Sequence, residues 1–467
     1  MKNPYSIALD IQRQAWEGAA DLAEKVQITP ERTETIKNID VGQTPSEVVY
    51  EENKLELLHY KPVTEEQHDV PILIVYALIN KPYILDLQPD RSVVRTLLEN
   101  GFDVYLINWG EPSTLDRSLT LDDYVNRYID NCVNVVRERS GQDEINILGY
   151  CMGGTKSAMY AALYPEKVKN LALMASGLCF DGDGGILELW GDEDYYDPEQ
   201  VTEAFDNVPA AFLDRGFELM DPVANNVTKY VRFYDNMADE DFVENFARME
   251  RWLSEGIDVA GTTYKEFIED IYQDNKLINN ELYLHGDHVD ITNIDMPVLQ
   301  IVAEYDHLVP PEASKPFNDE IPSEDTEIIE FTTGHIGMSV SSQSHAELWP
   351  AVCEWFEERS SDTDIETEPE TPAPKEADAA LAEDVTGDES GPDVVEVTNQ
   401  DIASKNESEV TDLTELNGVG TVYAGELAAA GIETINQLAS ADTAELAAET
   451  GISPSRINDW IEQAQEH

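Results

Sequence analysis

Positive charge is the first thing this sequence lacks. Its 467 residues hold 29 Lys and Arg against 95 Asp and Glu, a formal net charge of −66. The acids run along the whole length, so no single tail accounts for them. A field of that sign repels phosphate backbones and anionic lipid, which argues against nucleic acid and anionic membrane surfaces as general partners. It also repels itself, and only concentrated salt suppresses this, the screening length falling to about 3 Å near 1 M. The balance fits a protein built for a very salty cytoplasm. Cysteine is scarce as well. Cys132, Cys151, Cys179 and Cys353 form no CxxC pair and no metal-ligand rhythm. That argues against a disulfide scaffold and fits a reducing compartment. Long apolar runs are missing too. None reaches about 18 residues, so no membrane span is expected, and Asp10, Glu17, Asp21 and Glu24 interrupt any secretory signal.

What is present is a chain too long for one ordinary core, read as a large domain with appendages. Residues 5–26 have the spacing of an amphipathic helix, and 1–50 are read as an N-terminal helical segment. From residue 70 short β-rich runs alternate with helical ones. The segments 71–79, 102–109, 145–150, 170–176, 297–304 and 326–331 read as buried strands, and 92–101, 121–141 and 153–168 as helices. Near-continuous apolar strands separated by helices predict a parallel sheet covered on both faces, in a domain spanning 51–358. The alternation breaks over about 178–292, a stretch too long for a plain loop, which is read as a helical cap inserted between two strands. Residues 361–410 hold 16 acids, two Lys and no aromatic residue, so 359–410 are predicted to be a disordered acidic linker. Residues 411–467 regain short Ala/Leu-rich helices. Their "LNGVGTVYAGELAAAGI" resembles a helix-hairpin-helix module in a small all-α unit. With nine acids and only Arg456 from 413 onward, a protein-contact or structural role is favoured there over DNA binding.

The chemistry concentrates in "LGYCMGG" (148–154). A Gly-x-nucleophile-x-Gly turn between a strand and a helix is the elbow of α/β-hydrolases, here with Cys151 where Ser is usual. Small flanking residues let the chain turn sharply, and the following helix points its N-terminal dipole at the thiol, favouring thiolate. Asp306 follows the strand 297–304 and His335 follows the strand 326–331. The order Cys, Asp, His is that of the α/β-hydrolase triad, with all three at strand C-termini. Cys151 is then the nucleophile and acyl carrier. His335 takes its proton, and Asp306 orients His335 or helps activate an incoming hydroxyl. The backbone N–H of Met152 is one expected oxyanion donor; the second is sought around Ala77, Leu78 and Ile79. His307 is read as shaping its loop. His285 and His288 lack a further clustered ligand, so no metal and no cofactor is expected. Cys132 and Cys353 read as core or surface thiols, and Cys179 has no assigned role.

Taken together, the segments "PILIVYALINKPYILDLQPDRSVVRTLLENGFDVYLINWG" (71–110), "LGYCMGG", "MERWLSEGIDVAGTTYKEFIEDIYQDNKLINNEL" (249–282), "MPVLQIVAEYDHLVPP" (296–311) and "GHIGM" (334–338) resemble the class III catalytic subunit of polyhydroxyalkanoate synthases, over roughly residues 45–357. The resemblance implies an α/β-hydrolase fold with a mobile cap. It implies polymerisation of (R)-3-hydroxyacyl-CoA, typically 3-hydroxybutyryl-CoA, into storage polyester with release of CoA, which is a product and not a cofactor. It places the family's nucleophile, His and Asp on Cys151, His335 and Asp306, the Asp helping to activate the substrate hydroxyl. It also implies a second, non-homologous subunit, a homo- or hetero-oligomer, and a cytoplasmic location at the polyester granule surface. The chain departs from the family at Asn108-Trp109-Gly110, where Asp-Trp-Gly is usual. The linker and hairpin module exceed what catalysis requires and point to subunit or granule attachment.

A thiol suits this reaction. The growing chain moves between thioesters of similar energy, and Cys is both a good nucleophile and a good leaving group, where a serine ester would be a deeper well. Water kept out by the cap would hold the reaction to transfer. The competing readings are a Cys-dependent hydrolase of the thioesterase or dienelactone-hydrolase kind, and a non-catalytic granule scaffold. How so acidic a chain holds anionic CoA is open, with Lys81 and Arg91 as candidate cations.

Overall fold

The computed structural model describes residues 39–181, 185–220, 229–360 and scattered positions between 432 and 464. The helix expected over 5–26, the linker over 361–410 and most of the hairpin module lie outside these residues.

Eight strands form one sheet: β1 (Ser46–Glu52), β2 (Leu55–Tyr60), β3 (Ile72–Val75), β4 (Val104–Asn108), β5 (Ile145–Tyr150), β6 (Val168–Met174), β7 (Val298–Ala303) and β8 (Thr326–Phe331). Their order is β1-β2-β4-β3-β5-β6-β7-β8. The first two pairings are antiparallel and the rest parallel. Every residue of β3, β5 and β7 is buried, while β1 and β8 at the edges are mostly exposed. That gradient is why the central strands read as near-continuous apolar runs. Residues 46–50, which the sequence reading assigned to a helical segment, are instead the start of β1. Acid-rich alternation on an edge strand looks polar, and the two-residue turn Asn53-Lys54, with Asn53 at φ 56°, is what makes the hairpin.

Helices cover both faces. Val93–Glu99, Asp130–Ser140 and Trp349–Ser360 pack on the sheet through buried Val, Leu, Trp and Phe. Between β6 and β7 the described chain is helical: Gly185–Gly191, Pro198–Phe205, Ala210–Met220, Lys229–Asp235, Glu240–Ser254 and Gly261–Glu266. The last continues as π-helical turns over Phe267–Gln273. This insertion is latched to the sheet domain. Trp252 Nε1 donates to the Lys81 carbonyl (2.9 Å), Tyr83 donates to Glu255 (3.1 Å), and Arg251 reaches the Ile39 carbonyl (2.6 Å). A separate unit lies within Val397–His467, where Leu438, Leu446, Ile457 and Trp460 share a small core of their own. Among the described residues no helix is long and apolar enough to cross a membrane.

Candidate active site

The helix Met152–Leu163 begins directly after β5, so Cys151 sits on the bend between them. Its backbone is at φ 56°, ψ −128°, a conformation an L-residue adopts at a cost of order 1–3 kcal/mol. Its N–H donates to the Met174 carbonyl at the end of β6 (2.9 Å), which pins the bend to the neighbouring strand. The flanking glycines are a packing requirement. A Cβ on Gly153 would lie 2.0 Å from the Val75 carbonyl oxygen, one on Gly149 would lie 2.5 Å from the Gly154 Cα, and one on Gly154 would lie 1.7 Å from Ser176 Oγ. The elbow thus brings the helix start against the end of β3, where the chain turns out into Tyr76–Ile79.

Asp306 and His335 follow β7 and β8 and are both buried. His335 Nδ1 lies 2.7 Å from Asp306 Oδ2, and Asp306 Oδ1 accepts from the N–H groups of Leu308 and Val309 (2.9 Å each). The carboxylate is therefore fixed before it meets the ring. Burial disfavours the imidazolium, but the charges of Asp306 and Cys151, with hydrogen bonds donated by the ring to both, outweigh burial and raise the ring well above the usual histidine range. With Nδ1 on Asp306, Nε2 is the nitrogen left for Cys151. The three side chains named from sequence are thus one connected line. Cys151 is partly exposed where the other three cysteines are buried, so the line ends at a partly accessible residue.

The residues expected to supply oxyanion donors fall on the elbow helix and on the loop after β3. Met152 is the first residue of its helix, and its N–H has no partner within that helix. Leu78 is buried and Ile79 partly buried in the loop after β3. In that loop Asn80 is held at φ 63° and buried.

Several neighbours were not foreseen. Tyr150, the residue before the nucleophile, donates to the His335 carbonyl oxygen (3.0 Å) and stacks on its ring at 5.3 Å. Tyr272, from the π-helical turns, packs on Phe180 with ring centroids 4.2 Å apart and the planes tilted. Desolvation, then the charges of Cys151 and Asp306, hold its hydroxyl protonated. Trp109, of the altered Asn-Trp-Gly loop, donates its indole N–H to the Tyr76 carbonyl (2.9 Å). Aromatic side chains at strand ends look like core, and nothing in their spacing distinguishes these from packing residues. The remaining candidates fall elsewhere. His307 is exposed beside Asp306. His288 hydrogen-bonds the Asn280 carbonyl (2.8 Å) and stacks on Tyr283, and His285 sits in the turn between the short antiparallel strands Tyr283–Leu284 and Asp287–His288. Arg91 donates to the Val340 carbonyl (3.3 Å). No group of three or more His, Cys, Asp or Glu suited to a metal occurs among the described residues.

The comparisons with known proteins agree with this geometry. Residues 70–341 match the alpha/beta hydrolase fold model, 17–97 match the Poly-beta-hydroxybutyrate polymerase (PhaC) N-terminus, and 410–466 match a SAM-like helix-hairpin-helix tandem. The poly(3-hydroxyalkanoate) polymerase subunit PhaC of Haloferax mediterranei is 59% identical over 99% of both chains. That of Haloarcula marismortui is 58% identical over 99% of this chain and 98% of its own. The Allochromatium vinosum subunit is 44% identical over 69% of this chain and 90% of its own. With an α/β-hydrolase sheet, a cysteine elbow and full-length identity of this order, the chain belongs to the poly(3-hydroxyalkanoate) polymerase family.

Proposed function

We propose that this polymerase carries its growing polyester as a thioester on Cys151 and extends it with (R)-3-hydroxyacyl-CoA, 3-hydroxybutyryl-CoA above all. The observation that carries the reading is the connected line from a partly exposed Cys151 through His335 to a pre-fixed Asp306. Cys151 gives its proton to His335 and its sulfur attacks the thioester carbonyl of the acyl-CoA. The tetrahedral oxyanion is received by N–H groups of Met152 and of the Leu78–Ile79 loop. It collapses with loss of the CoA thiolate, which takes the proton from the imidazolium, leaving acyl-Cys151 and CoA. The 3-hydroxyl of the next hydroxyacyl-CoA then attacks acyl-Cys151, its proton passing to the His335–Asp306 pair. One ester bond forms and the Cys151 thiol is regenerated. The lengthened chain, now a CoA thioester, returns to Cys151 with release of CoA. Each thioester exchange is near balance, and the ester bond gained per cycle drives the sequence.

A second, non-homologous subunit and a position on the polyester granule in the cytoplasm belong to the same reading. So does an accessory, attachment role for the C-terminal segment. The test is Cys151→Ala in the full chain, with the partner subunit and high salt. CoA release from 3-hydroxybutyryl-CoA should fall to background while the melting curve stays cooperative. Retained polymer formation would refute the assignment.

A further inference from the structure

Lys156 lies on the second turn of the elbow helix, five residues after Cys151, and is fully buried. In sequence it reads as an ordinary helix-surface lysine. Its Nζ has no hydrogen-bond acceptor. Instead it sits 3.9 Å from the centroid of the Trp109 ring and 5.4 Å from that of Tyr124. Trp109 in turn donates to the Tyr76 carbonyl, at the root of the loop that continues into Leu78 and Ile79. An unpaired buried ammonium is costly, and a methionine of similar length would be expected to fit an apolar site at lower cost. Burial pulls this amine well below the usual lysine range; the charge of Cys151 pulls the other way. The rings of Trp109 and Tyr124 face the amine, and aromatic faces favour the cation.

We propose that Lys156 is a positioning residue of the acyl-transfer site: its side chain, packed on the rings of Trp109 and Tyr124, fixes the indole that braces the oxyanion loop. The proposal rests on Cys151 being the nucleophile. It explains why this costly side chain is in the elbow helix and not on the surface.

Steady-state CoA release by the full chain in high salt tests the proposal. In Lys156→Met the melting temperature should hold or rise, while kcat falls about fivefold with KM within about twofold. Lys156→Arg, which can also pack on the rings, should stay nearer wild type. A Lys156→Met kcat equal to wild type would overturn the proposal. Trp109→Phe tests the brace. It should lower kcat for CoA release about five- to tenfold, the scale of one lost hydrogen bond, with KM within about twofold; an unchanged kcat would overturn the brace. If enzyme alkylated at Cys151 by iodoacetamide still released CoA, the nucleophile assignment itself would fail, an outcome distinct from an unchanged kcat in a variant whose alkylation abolishes turnover.

Discussion

Cys151 differs from the other three cysteines in access. Burial pushes the thiols of Cys132 and Cys179 up, and that of Cys353 up to about 12, so these stay protonated and unreactive near neutral pH. Cys151 instead lies beside an imidazole whose other face is tied to a carboxylate. The Asp306–His335 coupling carries a pH signature. The ring is raised above its unfolded value of about 6.5, so the stability it contributes is complete below that value. It is lost as pH climbs through the higher folded value. Asp306→Asn removes the coupling. Its melting deficit against wild type should be greatest near pH 6, about 3 kcal/mol for breaking a buried pair, and shrink toward alkaline pH. CoA release should fall about a hundredfold. A deficit that grows with pH would contradict the raised imidazole.

Strand and elbow were the legible elements. The segments 145–150 and 326–331 are strands at just those residues, and Cys151, Asp306 and His335 each follow a strand with Ile near its centre. The first predicted strand, 71–79, is cut to Ile72–Val75 because the chain leaves the sheet at Tyr76 to form the loop beside the elbow. The edge hairpin was missed because its exposed faces carry acids. Lys156 was missed because a lone charge in a helix signals surface, and only the packing of Trp109 over it reveals otherwise. The contact between elbow and loop gives a direct test at this scale. Gly153→Ala would drive a methyl to within 2.0 Å of the Val75 carbonyl oxygen, a backbone atom that cannot swing aside. A loss of roughly 2–4 kcal/mol is expected, with turnover impaired even where the fold persists. Chemical denaturation and CoA-release assays would read both; wild-type stability in this variant would contradict the packing described.

For the whole molecule, a formal charge of −66 sets the conditions under which all of this operates. Self-repulsion at low ionic strength opposes the compact state, and salt relieves it. The melting temperature should rise by roughly 10 °C or more between about 0.1 M and about 3 M KCl; a flat or falling profile would contradict this account of the composition. Activity in high salt then depends on the site at the C-terminal edge of the sheet. Its central claim is that Cys151 carries the acyl chain. The most direct test is to quench the enzyme during turnover of 3-hydroxybutyryl-CoA and map the acylated peptide by mass spectrometry. Hydroxybutyryl units in thioester linkage on Cys151, formed with stoichiometric release of CoA, are the predicted result. Acylation at another residue, or polymer made with Cys151 never modified, would contradict it.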